Sequence, residues 1–179
     1  MSVTAVDSSV RAVLVDSQKL VHDRQTYAGV LPVAGLARLV ASLQGHSGRL
    51  DYQVRGDADR SDRPLLKLRV SGSVQLQCQR CLESFEQPVD IDTAVRLVAA
   101  EALSAEYDDD PDEPYCVAAS ATFDLTALIE DEVLLALPAY PRHEEGRCPS
   151  RVELVGHAGG AGGRILAFSV LKALKSKEK

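Results

Sequence analysis

Between residues 66 and 97 the chain alternates between apolar and polar positions. Leu66, Leu68, Val70, Val74, Leu76 and Cys78 fall on even numbers, with Lys67, Arg69, Ser71, Ser73, Gln75 and Gln77 between them. After residue 84 the parity switches. Phe85, Gln87, Val89, Ile91, Thr93, Val95 and Leu97 are odd, opposite Glu86, Pro88, Asp90, Asp92 and Arg96. A period of two on both sides predicts two strands, each with one face buried and one wet. The residues between, 79 to 84, must then reverse the chain. The result is a long β-hairpin with strands near 65–78 and 85–98, and with a C-x-x-C pair, Cys78 and Cys81, at its tip. Gly72 predicts a bulge or bend in the first strand.

The flanking segments predict the rest of an α+β fold. Tyr27 to Leu31 read as a short strand, and Pro32 opens an amphipathic helix over 33–44 that carries Leu36, Leu39, Val40 and Leu43. Leu50, Tyr52 and Val54 alternate in a strand near 49–55, and residues 56–64 form a polar turn. Tyr115 to Ala119 supply a last strand. Asp124 is a good N-cap for a helix that Pro138 ends near Leu137. Its apolar face is Leu125, Leu128, Ile129, Val133, Leu135 and Ala136. Glu132 lies inside that face, whereas Glu130 and Asp131 point away from it. A carboxylate in an apolar stripe needs a partner, and Arg80 at the hairpin tip is the expected one for Glu132. Residues 9–25 show no clean period and read as helix or coil. The expected architecture is a single domain over 1–150, an antiparallel sheet built on the long hairpin with helices packed on one face. A glycine-rich linker over 151–163 and a basic amphipathic segment over 164–179 follow it.

Composition narrows the function classes. The chain has 179 residues, enough for one well-cored domain, and is 45% hydrophobic and 26% charged, as ordinary globular proteins are. No apolar run reaches the ~20 residues of a membrane helix, and the N-terminus lacks a basic start followed by an apolar block. Four cysteines without an export signal suit a reducing cytoplasm better than a disulfide scaffold. A net charge of −6 and 4% aromatic residues argue against a bulk nucleic-acid binder with base-stacking platforms. Six acids crowd the eight residues from Glu106 to Glu113; without EF-hand spacing they read as a solvated loop. The one concentrated positive charge is at the end. Arg164, Lys172, Lys175, Lys177 and Lys179 against Glu178 give the last segment +4, with Phe168, Leu171 and Leu174 on one helical face. This segment is either a tethered arm for RNA or a partner, or a cap on its own domain.

Three chemistries compete for Cys78 and Cys81. A redox pair belongs where a strand enters a helix, and here strand periodicity continues instead. A hairpin tip suits zinc better, because C-x-x-C presents two thiolates as half of a tetrahedron, and His143 with Cys148 can supply the other half. The third reading is reduced thiols packed together, with Cys116 a separate core thiol. His22 and His46 sit among polar residues and read as surface groups. Nucleophile elbows, H-E-x-x-H and nucleotide-binding glycine motifs are all missing.

The run LQCQRCLESFEQPV, then DLTALIEDEVLLALPAYPRHEEGRC, then FSVLKALK resembles the YceD family, the bacterial large ribosomal RNA subunit accumulation proteins. The matching positions are Cys78, Arg80, Cys81, Glu130, Asp131, Glu132, Pro138, His143 and Cys148. The resemblance implies a cytoplasmic, non-enzymatic role in synthesis, processing or stability of 23S ribosomal RNA, and carries over no catalytic residue. The partner it implies is ribosomal RNA or a ribosome-assembly protein. The acidic balance keeps a second class open, an adaptor for a ribosomal protein or a ribonuclease.

Overall fold

The structure is a computed structural model that describes residues 3–5, 12–103 and 113–149. The 151–163 linker, the 164–179 basic segment and most of the acidic run lie outside the described residues. In chain order the elements are β1 (Val3–Ala5), β2 (Leu14–Val15), α1 (Ser17–His22), β3 (Thr26–Pro32), a 3-10 turn (Val33–Gly35), α2 (Ala37–Val40), β4 (Arg49–Ala58), β5 (Pro64–Gln77), β6 (Ser84–Val98), β7 (Cys116–Ala118), β8 (Phe123–Asp124) and α3 (Leu125–Ala136). A further 3-10 turn, Ala100–Ala102, follows β6. The main sheet runs β1-β3-β4-β5-β6-β7. Its four central strands are antiparallel, and the short outer strands β1 and β7 run parallel to their neighbours.

The hairpin is the longest pairing. β5 and β6 stay in register from Leu65↔Arg96 to Gln77↔Ser84. Leu66, Leu68, Val70, Val74 and Leu76 are buried, while Lys67, Arg69 and Ser71 are exposed, so parity sorts core from solvent as the sequence predicts. Gly72 makes no bulge, since its pairs with Leu50 and Val89 leave both ladders unbroken. Its need for glycine is close approach: a Cβ there would sit 2.3 Å from the carbonyl oxygen of Arg49. Gly56 plays the same part on β4, where a Cβ would lie 2.1 Å from the Leu20 carbonyl of α1.

One face of the sheet is covered. Leu20 of α1, Leu36 and Leu39 around α2, and Leu125, Ile129 and Val133 of α3 join the buried strand residues in a single core. The other face is open to water, with Asp51, Arg69, Asp90 and Asp92 exposed on it. Among the described residues no helix is long and apolar enough to cross a membrane. The helix expected over 33–44 is shorter than its apolar spacing suggests. It splits into the 3-10 turn and α2, because Leu36 leaves helical geometry (φ −100°, ψ 88°) at the junction.

That break has a partner on α3. Glu130, expected to point away, is buried and accepts from the Arg38 and Leu39 backbone N–H groups at 2.7 and 3.0 Å, capping the first turn of α2. The Arg38 Nε donates to the same carboxylate at 3.0 Å, and its Nη1 pairs with Asp131. The expected Arg80–Glu132 pair does not form. Glu132 is buried and accepts from the Tyr115 hydroxyl, whereas Arg80 turns to a cysteine at the hairpin tip. Tyr115 immediately precedes β7, and partial desolvation of its hydroxyl together with the bond to that carboxylate raises its phenol pKa.

Glu130 and Asp131 thus meet the same arginine from unequal environments. Glu130→Ala strips two amide donors and a guanidinium of a buried acceptor and should cost about 2–3 kcal/mol in urea unfolding. Asp131 is half exposed, and Asp131→Ala should cost no more than ~1 kcal/mol. Equal losses in the two variants would refute the capping role of Glu130.

Candidate metal centre

The hairpin tip is a tight knuckle. Cys78 N–H donates to the Glu83 carbonyl and Leu82 N–H to the Cys78 carbonyl, both at 2.9 Å. Closing the turn puts Leu82 in the left-handed region (φ 65°), which costs a non-glycine residue about 1–2 kcal/mol. Its side chain is left largely in solvent. This turn aims both sulfurs at one side. Cys78 is fully buried there, and Cys81 keeps 9% exposure.

The second half arrives from beyond α3. Pro138 ends the helix, and the chain returns to the tip, where Gln79 N–H donates to the Pro141 carbonyl at 2.9 Å. His143 stacks on Phe85, with ring centroids 4.9 Å apart and planes at 41°. Its Nδ1 lies 3.4 Å from the Cys81 sulfur and 3.7 Å from the Cys148 sulfur, and Cys148 lies 3.7 Å from Cys78. One donor atom from each of the four residues falls within 4.8 Å of all the others. Zinc bonds of ~2.3 Å to sulfur and ~2.0–2.1 Å to nitrogen set tetrahedral edges of about 3.6–3.8 Å. These three separations lie close to those edges, and a donor pair at the 4.8 Å limit needs only a small inward movement. Cys78, Cys81, His143 and Cys148, far apart in sequence, therefore converge. Cys116 lies on β7, outside the cluster, and His22 and His46 are exposed.

The electrostatics favour thiolate at Cys78. Burial opposes ionisation of Cys78, but the amides of Cys81, His143 and Arg80 and the His143 ring outweigh it and bring the thiol down to about 5. Burial pushes the Cys81 thiol up, and the neighbouring sulfurs add to the rise. One sulfur is thus prepared to bind a cation first. Two contributors escape a reading of the sequence. Phe85 looks like an ordinary strand residue, and Arg80 looks like a partner for a carboxylate. Instead, Arg80 Nε donates to the Cys148 sulfur at 2.9 Å.

A lowered thiol pKa means that the unfolded chain holds this proton more tightly than the folded one. Cys78 then contributes stability in full above its ordinary value of 9.0 and contributes none once the pH has dropped below about 5. In reduced, metal-free protein the melting temperature of the wild type should fall across that window more steeply than that of Cys78→Ser. Parallel curves for the two would remove the prepared thiolate.

The comparisons with known proteins converge on one family. The model described as large ribosomal RNA subunit accumulation protein YceD matches residues 66–175, a span that holds the hairpin, α3 and all four donors. The large ribosomal RNA subunit accumulation protein YceD of Haemophilus influenzae is 29% identical over 138 residues, 75% of this chain and 76% of that protein. No solved structure matches the chain. With a match over more than half its length, the chain belongs to the YceD family of large ribosomal RNA subunit accumulation proteins.

Proposed function

We propose that the protein supports the synthesis, processing or stability of 23S ribosomal RNA in the cytoplasm as a non-enzymatic assembly factor. The family is described by accumulation of an RNA and not by a reaction. The observation that carries the non-enzymatic reading is the closed donor set. Three sulfurs and one nitrogen would fill a tetrahedron around a zinc ion, whereas a catalytic zinc keeps one position for water or substrate. The ion this set suits is a structural zinc, held by Cys78, Cys81, His143 and Cys148, whose work is to pin the 139–149 segment to the hairpin tip.

Where RNA is touched follows from charge. In the described residues Arg38, Arg63, Lys67, Arg69, Arg96 and Arg147 each lie against a carboxylate. Their charge is spent locally. The unspent positive run in the sequence is the C-terminal segment, so we assign RNA contact to Arg164, Lys172, Lys175 and Lys177. The net charge of −6 favours one second reading, an adaptor whose partner is a basic ribosomal protein or a ribonuclease.

Capture of the full chain from growing cells, with and without residues 164–179, separates the readings. The full chain should retain 23S ribosomal RNA, with an affinity falling by roughly 0.7 log units per contact for each tenfold rise in salt, and the truncated chain should lose it. Recovery of a basic protein in place of RNA, insensitive to nuclease, would favour the adaptor. Metal analysis of the same preparation should find one zinc per chain, and none in Cys148→Ser.

A further inference from the structure

We propose that Arg80 is the charge-balancing member of the metal centre. It is a positioning residue that keeps the ion on the chain through the Cys148 sulfur, and it is not a nucleic-acid contact. The inference rests on the zinc reading above.

Three thiolates and a neutral imidazole around a divalent ion leave one net negative charge. That charge sits against Cys78, which has no exposure to water, and an uncompensated buried charge is costly. Among the described residues, Arg80 is a cation in hydrogen-bonding contact with the cluster. Arg80 occupies the interior of the C-x-x-C turn, and its exposed side chain folds back so that Nε lies 2.9 Å from the Cys148 sulfur, 68 positions away. A surface arginine reaching for phosphate would extend into water; this one donates to sulfur.

Arg80 acts on the cluster through one ligand, the Cys148 sulfur. Cys148 stands on an irregular segment, and the N–H donor to its sulfur is the Arg80 side chain. A hydrogen bond to a thiolate sulfur withdraws charge from it and fixes its direction toward the metal. Arg80 therefore governs how readily the fourth ligand leaves. Lysine can supply the charge but not the fixed planar geometry of Nε.

The test uses the zinc-loaded full chain as wild type, Arg80→Gln and Arg80→Lys, and follows transfer of zinc to a chromogenic chelator. Arg80→Gln should release zinc about tenfold faster, as loss of an outer partner does at other zinc sites, with Arg80→Lys between. The thiolate-to-metal absorption of the cobalt-substituted protein should shift in Arg80→Gln, while the metal-free forms melt together. Retention of RNA at each salt concentration should be the same in all three. Equal release rates with zinc bound in all three proteins would overturn the role of Arg80 and leave the zinc reading standing. Lower melting of metal-free Arg80→Gln would make the effect general destabilisation, and RNA loss at unchanged zinc release would make Arg80 a phosphate contact. Failure of the wild type to hold zinc after reconstitution would overturn the zinc reading, and this inference with it.

Discussion

Everything in this fold hangs on the register between β5 and β6. Thirteen consecutive pairs run without interruption, and a slip of one residue would send Leu66, Leu68, Val70, Val74 and Leu76 into water together. At about 2 kcal/mol for each buried leucine or valine, the five together put that penalty near ~10 kcal/mol, comparable to the whole stability of an ordinary domain. The register therefore has no competitor. It also sets where the tip lies, because a long ladder delivers Cys78 and Cys81 as a rigid pair.

The acidic block on α3 gains a different meaning from its contacts. Glu130, Asp131 and Glu132 are consecutive, which on a helix spreads them over three directions, and each one finds its own partner. Glu130 caps α2 and holds Arg38, Asp131 takes the other end of that guanidinium, and Glu132 accepts from Tyr115. These are packing duties.

Most of the sheet is legible in the sequence because its signal is local: parity repeats every two residues and needs no knowledge of what lies opposite. The cysteine–histidine cluster is legible for a related reason, since few side chains other than cysteine and histidine bring that chemistry at that spacing. The Arg38–Glu130 contact is not, because it joins positions 92 apart and neither residue breaks the pattern around it. The same holds for Arg80, whose position within C-x-x-C says nothing about the direction its long side chain takes. The split of the 33–44 helix is tertiary as well. Apolar spacing there is satisfied equally by one helix or by a 3-10 turn and a short helix, and the cap from α3 goes with the second.

The approach of Cys148 to Cys78 joins points 70 residues apart in the chain. A bond through an ion at that place would close a loop containing β6, β7, β8 and α3. Closing a loop of that length removes roughly 4 kcal/mol of conformational freedom from the unfolded chain on the chain-entropy estimate used for disulfides. A reducing compartment forbids the disulfide version of this closure but not the metal one. The sheet would then be harder to open from its C-terminal side.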